Sequence, residues 1–270
     1  MIDRSEEVRE RVRSRYAGLA ETADRSPSGC DTGSNCCGTG DPKAAPEEIA
    51  RALGYDPSEL ADLPEGANLG LGCGNPHSLA GLRSGETVVD LGSGAGIDCF
   101  LAARKVGPEG RVIGVDMTPQ MVSKARRNAR EHGFENVEFR LGEIEHLPLA
   151  DACADVILSN CVVNLSPDKP AVLREAFRVL KPGGRVAISD IVATADMSAE
   201  LLEDGDLLCG CISGAAKIEA LEAWLAEAGF EEISIRTWEE SRSFIKDWAP
   251  GTGVERYVVS ASIEARKPAP

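Results

Sequence analysis

Val88-Val-Asp-Leu-Gly-Ser-Gly-Ala-Gly-Ile-Asp98 is the stretch whose reading decides the fold. The apolar pair Val88 and Val89 runs into Asp90, and a turn carrying Gly92, Gly94 and Gly96 opens a segment with Ile97, Phe100 and Leu101 at helical spacing. The stretch therefore reads as strand, glycine turn and helix. Glycine suits such a turn because the backbone must reverse sharply and a ligand must approach without meeting a Cβ, while the first helical N–H groups face it. The same pattern also serves as plain structure in many α/β domains, so its meaning depends on the neighbouring segments of the chain.

Next along the chain stands Arg111 to Val115, a second apolar strand ending on Asp116. An acidic residue at the end of the second strand is where a doubly wound fold holds a ribose diol, which makes the ligand a nucleoside. A dinucleotide turn, G-x-G-x-x-G, would need a small third residue where Ile97 stands. The turn from Asp90 to Gly96 instead resembles the loop of the class I S-adenosylmethionine-dependent methyltransferases, and the resemblance implies S-adenosyl-L-methionine as cofactor. Strand-end placement then assigns Asp116 to the ribose hydroxyls and Gly92, Ser93, Gly94 and Gly96 to the methionine moiety, with Met117 and Ile144 flanking the adenine. Asp90, Glu143 and Asn160 complete the expected cofactor set.

Beyond the turn the chain alternates strand and helix in the manner of a doubly wound sheet. Val137 to Leu141 and Ala154 to Asn160 read as the third and fourth strands. Leu173, Ala176, Phe177 and Leu180 mark the core face of a helix that Pro182-Gly183-Gly184 stops before a fifth strand, Arg185 to Asp190. A helix through Ile218, Leu221, Trp224, Leu225 and Ala228 ends at Gly229, and two alternating segments follow, one with Ile233 and Ile235 and one from Tyr257 to Ala265. The fold class expected is α/β: a Rossmann-like, doubly wound sheet of class I methyltransferase type, mostly parallel with an antiparallel last strand. Residues 1–78 read as a helical and loop-rich N-terminal cap, and residues 79–270 as the methyltransferase domain.

Composition sets limits on partners. A chain of 270 residues can bury a substantial core. A net charge of −15 and a sequence pI near 4.7 exclude nucleic acid and anionic membrane as expected partners, since phosphate binding needs clustered Lys and Arg. The charged start Met-Ile-Asp-Arg-Ser-Glu-Glu lacks the apolar stretch of a signal peptide, and the expected location is cytoplasmic.

Nine cysteines in a reducing compartment argue against a disulfide framework and leave metal ligands, redox groups or core fillers. No C-x₂-C pairs stand at zinc-ribbon spacing, and His77, His132 and His146 read as surface residues, so a soft-ion site would have to be built of thiolates. Cys161 lies just past the fourth strand, where α/β sheets bind ligands; Cys73 and Cys211 sit in Gly-flanked loops able to reach the same edge. Cys99 and Cys153 read as bystanders, and Cys209 is left open.

Five blocks carry a closer likeness: residues 71–76 (Leu-Gly-Cys-Gly-Asn-Pro), 90–99, 114–118 (Gly-Val-Asp-Met-Thr), 159–169 (Ser-Asn-Cys-Val-Val-Asn-Leu-Ser-Pro-Asp-Lys) and 211–215 (Cys-Ile-Ser-Gly-Ala). They resemble the arsenite (arsenic(III)) S-adenosylmethionine methyltransferases, from about residue 30 to the end. Matched residue by residue, the resemblance makes Cys73, Cys161 and Cys211 both the catalytic thiols and the arsenic(III) ligands. It implies an arsenical small-molecule substrate, arsenic detoxification as the role, and a thiol reductant of thioredoxin or glutathione type as partner. Larger members carry a further C-terminal domain, before which this chain ends. For the family's N-terminal cysteine, Cys30, Cys36 and Cys37 compete; Cys36 and Cys37, adjacent on a Gly-rich loop, are the expected delivery or redox thiols. Two other readings stand beside this one. A class I methyltransferase of a quinone- or sterol-type molecule would call for a base near the methyl, and no His lies at the ends of strands four or five. A thiol protein that binds arsenite without chemistry would leave the cofactor turn without a purpose.

Overall fold

A computed structural model describes residues 4–23 and 45–270. Its centre is a sheet in the order β3-β2-β1-β4-β5-β8-β7, built from β1 (Thr87–Leu91), β2 (Arg111–Asp116), β3 (Val137–Leu141), β4 (Ala154–Asn160), β5 (Leu180–Ala193), β7 (Glu231–Trp238) and β8 (Val258–Arg266). The first five run parallel, β8 lies antiparallel between β5 and β7, and the two-residue β6 (Ala216–Lys217) pairs with the end of β5. The expected antiparallel last strand is β8.

The central strands are apolar along their length because both sheet faces are covered. Val88, Val89, Leu91, Val156, Ile157 and Leu158 are fully buried. On one face α5 (Ile97–Val106) and α6 (Pro119–Glu131) pack Phe100, Ala103, Val122 and Ala125 against Val88, Val112 and Leu158. On the other, α7 (Lys169–Val179) and α10 (Ile218–Ala228) pack Leu173, Ala176, Leu221 and Leu225 against Val89, Ile157 and Ile188. The result is the three-layer α/β arrangement in which ligands bind beyond the carboxyl ends of the strands.

Two expectations are corrected here. Leu180 does not extend the helix: it closes α7 in an extended conformation (φ −68°, ψ 138°) and pairs with Ala154 as the first residue of β5. Pro182 cannot supply a backbone donor to either element, and the strand register shifts there, so the Pro-Gly-Gly segment is an irregularity within β5 rather than a gap before it. The last strand begins at Val258, Tyr257 belonging to the preceding turn.

The N-terminal elements are α1 (Arg4–Thr22), α2 (Pro46–Ala52), α3 (Pro57–Ala61) and α4 (His77–Ala80). The α1 helix crosses the carboxyl edge of the sheet, packing on α6 and on α9 (Gly205–Cys209), which follows the short α8 (Ala199–Glu203), and turns Val12 inward at 1 % exposure. No helix among the described residues is long and apolar enough to cross a membrane.

Candidate functional site

A cleft of about 1100 Å³ opens at the carboxyl edge of β1, β2 and β4, roofed by Arg9, Val12 and Tyr16 of α1. The glycine turn forms its floor. Gly92, Gly94 and Gly96 all adopt left-handed backbone (φ 69°, 52° and 103°), which side-chain-bearing residues avoid. A Cβ at Gly92 would lie 2.4 Å from the Val162 methyls and one at Gly96 2.7 Å from the Phe100 ring, whereas at Gly94 it would enter open space.

Asp116 closes this half. One carboxylate oxygen accepts from Gly94 N at 2.9 Å and the other from Thr118 N at 2.8 Å, leaving each oxygen a lone pair for a further donor. Burial pushes its carboxyl above the usual range, despite the two backbone N–H bonds that favour the anion. Ser93 Oγ is buried with no partner among the described residues. A nucleoside with a ribose diol and a polar amino-acid end fits this donor and acceptor set.

The remaining expected cofactor residues divide. Met117, Ile144 and Asn160 line the cleft. Gly96 and Asp90 do not line it; Asp90, 2 % exposed, accepts from the Cys99 thiol at 3.2 Å. Glu143 faces α1 and pairs with Arg9 (3.4 Å) and Arg13 (3.6 Å).

Cys161 and Cys211 line the other end of the cleft, Cys73 lies against Cys161, and all three are free thiols. The sulfurs of Cys73 and Cys161 and a carboxylate oxygen of Asp190 lie within 4.8 Å of one another, and the Cys211 thiol donates to the Cys161 carbonyl at 2.8 Å. Cys161 and Cys211 hold left-handed backbone (φ 59° and 61°), a conformation costly for a residue with a Cβ and maintained only by its surroundings. Those surroundings are the neighbouring motif residues. Cys161 N donates to Ser189 O at 2.8 Å. Asn164 donates to Asp190 (2.9 Å) and Ile191 O (2.6 Å) and accepts from Ala216 N (3.3 Å). A Cβ on Gly214 would lie 2.2 Å from Asn164 O. The segments 159–169 and 211–215 thus interlock, and Cys73 N joins them through Asn160 Oδ1 at 3.2 Å.

Hydrogen bonding from Cys211 draws the Cys161 thiol down, but the bond with Cys73 and burial outweigh it and raise the Cys161 thiol well above its ordinary value. Cys211 is raised as well, first by its bond with Cys161 and then by burial. Burial also lifts Asp190 to about 6, with Lys169 and backbone N–H groups opposing. Cys209 is buried, and its carbonyl accepts from Tyr16 Oη at 3.3 Å. Cys30, Cys36 and Cys37 lie outside the described residues.

The sequence reading missed several residues. His77 is not a surface side chain: it is 5 % exposed, with Nε2 3.2 Å from Asp98 Oδ1, because α4 folds inward against α5. Tyr55 Oη donates to Asp98 Oδ1 at 2.7 Å and accepts from Asn160 Nδ2 at 2.9 Å. Asp98 and Asp190 each left a signal: one is a polar residue in the first turn of an otherwise buried helix, the other an acid at a strand position pointing to the ligand edge.

A doubly wound sheet whose glycine turn and second-strand carboxylate share one cleft defines a class I methyltransferase, and residues 82–229 match the family model described as a methyltransferase domain. S-adenosylmethionine is the cofactor of that class. The chain is 52% identical over 274 residues to an arsenite methyltransferase of Halobacterium salinarum, covering 98% of this chain and 68% of that protein. It is 33% identical over 236 residues to one of Rattus norvegicus, covering 84% of this chain and 60% of the relative. Among solved structures it resembles an arsenic(III) S-adenosylmethionine methyltransferase from Chlamydomonas reinhardtii, with 33% identity, TM-score 0.60, and coverage of 82% and 74% of the two chains. The chain belongs to the arsenite methyltransferase family.

Proposed function

We propose that this protein transfers the methyl group of S-adenosylmethionine to arsenic(III) held by the thiols of Cys73, Cys161 and Cys211. The observation that carries the reading is Cys161, in the cleft that contains the glycine turn and Asp116, standing next to both Cys73 and Cys211, which come from two other segments. Softness selects sulfur for trivalent arsenic, and three sulfurs in a pyramid leave its lone pair outward as the nucleophile. The raised thiol pKa values suit arsenous acid, which brings its own acceptors: three As–S bonds form, three As–O bonds break, and each thiol proton leaves with a hydroxide as water.

S-adenosylmethionine supplies an electrophilic methyl, so the protein needs no general base for the transfer. Its own residues hold and aim: Asp116 takes the ribose, Met117 and Ile144 flank the adenine, and the left-handed backbones of Cys161 and Cys211 fix the thiols before arsenic arrives. Methylation oxidises arsenic by two electrons, and a thiol pair that becomes a disulfide restores it, which makes a thioredoxin- or glutathione-type reductant the partner. Cys36 and Cys37 are the proposed delivery or redox thiols, residues 1–78 the cap that brings Cys73 to residues 79–270, and the reducing cytoplasm the compartment that suits nine cysteines. Incubation with arsenite, S-adenosylmethionine and a thiol reductant, followed by speciation of arsenic, should yield methylated arsenicals; unmethylated arsenic alongside demonstrated cofactor binding would reject the reading.

A further inference from the structure

Three carboxyl groups are buried around the glycine turn: Asp90, Asp98 and Asp116. Asp90 is met by the Cys99 thiol and Asp116 by two backbone N–H groups. Asp98 is different. It lines the cleft at 4 % exposure, and its hydrogen-bond donors are neutral: Tyr55 Oη at 2.7 Å on Oδ1 and Asn160 Nδ2 at 3.5 Å on Oδ2. His77 Nε2 approaches Oδ1 to 3.2 Å but without hydrogen-bond geometry, and no Lys or Arg pairs with Asp98 among the described residues. A carboxylate so placed is costly unless a cation reaches it. The helix dipole favours an acid in the first turn of α5, but by less than full burial disfavours it. After burial, Asp98 is the leading influence that raises both Asp90 and Tyr55.

We propose that Asp98 is the counter-ion of the α-ammonium group of S-adenosylmethionine. With Asp116 on the ribose and the turn from Gly92 to Gly96 along the methionine moiety, the ammonium is the cofactor cation that belongs at the start of α5. Oδ1 is occupied by Tyr55, so Oδ2, with only its long contact to Asn160, is the acceptor. The pairing replaces the bulk water lost on burial by a charge-assisted hydrogen bond. It also ties the cofactor to Asn160, whose amide holds Cys73 N (3.2 Å) and Gly74 O (3.0 Å).

The assignment rests on S-adenosylmethionine as methyl donor and is independent of what receives the methyl. Calorimetry with S-adenosylhomocysteine and with its deamino analogue, which lacks only the ammonium, tests it on wild-type and Asp98→Asn protein. Wild-type protein should prefer the amino-bearing ligand by about tenfold or more, the worth of one charge-assisted hydrogen bond. Asp98→Asn should bind the two ligands within about twofold of each other and the deamino analogue as tightly as wild type does. Asp98→Glu, which keeps the charge, should recover part of the preference and serves if Asp98→Asn does not fold. A wild-type protein without preference, or an Asp98→Asn protein that keeps it in full, would overturn the pairing. Wild-type protein that bound neither ligand would overturn the donor itself, a result distinct from loss of preference.

Discussion

Asp116 accepts from two backbone N–H groups and still has a lone pair on each oxygen, so on the proposed assignment its replacement removes a ribose acceptor. Asp116→Ala should weaken S-adenosylhomocysteine binding by about 1.5–3 kcal/mol, read by calorimetry, and unchanged affinity would remove it from the ribose site. Cys73→Ser should stop methylation of arsenite but spare a monomethylated arsenical, which offers arsenic two exchangeable positions and needs two thiols; equal loss on both substrates would contradict this. The thiols also predict a pH dependence. Because Cys161 and Cys211 are raised, both stay protonated through neutrality, and neutral arsenous acid takes each of their protons away as water with no net proton released. Arsenite affinity should therefore be flat between about pH 7 and 8, above the range near 6 in which Asp190 beside the thiols titrates, whereas a divalent cation would bind more tightly as pH rises because it must displace protons. A steep rise for arsenite would contradict the proton balance. Asp116 and the glycines were legible in the sequence because the rule that finds them is local. Tyr55 and His77 were not, since each gains its meaning from a partner far along the chain, with Tyr55 and Asp98 43 positions apart.

At the scale of elements, the site depends on two loops locked together. Gly214 lies under the Asn164 carbonyl, so Gly214→Ala must push the Cys211 turn away from Cys161. The expected outcome is a loss of about 1–3 kcal/mol in stability by thermal or denaturant unfolding, together with weakened arsenite binding. Cofactor affinity should stay within about twofold, and loss of cofactor binding to the same degree would show that the two halves of the cleft are not separable in this way. Asp168 caps α7 by accepting from Ala171 N at 2.9 Å, and Asp168→Ala should lower stability by about 1 kcal/mol without altering the thiols. Strand and helix periodicity identified these elements; the end of α7 was misplaced because Leu180 continues the helical spacing while the strand pairing with Ala154 takes it. The Cys211 turn was readable as a Gly-interrupted loop, but its left-handed cysteine was not, because that conformation is imposed by the Asn164 contacts rather than by local preference.

Across the whole molecule, the order β3-β2-β1-β4-β5-β8-β7 brings the ends of β1 and β4 together at the point where the chain reverses direction across the sheet. Cofactor turn and Cys161 are neighbours for that reason: Leu91 pairs with Ser159, two residues before Cys161. The alternating pattern of apolar segments was enough to expect this sheet, since both faces are buried and each strand reads as a short apolar run. How α1 and α4 lie over the edge was not readable, because their positions follow from tertiary contacts such as Tyr16 with Cys209 and Arg9 with Glu143 and Glu145. The central claim is that three thiols at this edge present arsenic to the methyl donor. The most direct measurement is transfer of labelled methyl from S-adenosylmethionine to arsenite by wild-type, Cys161→Ser and Cys211→Ser proteins, with cofactor binding measured on the same samples. Activity should be present in wild type and absent from both variants while cofactor affinity is retained; full activity on arsenite in either variant would contradict the claim.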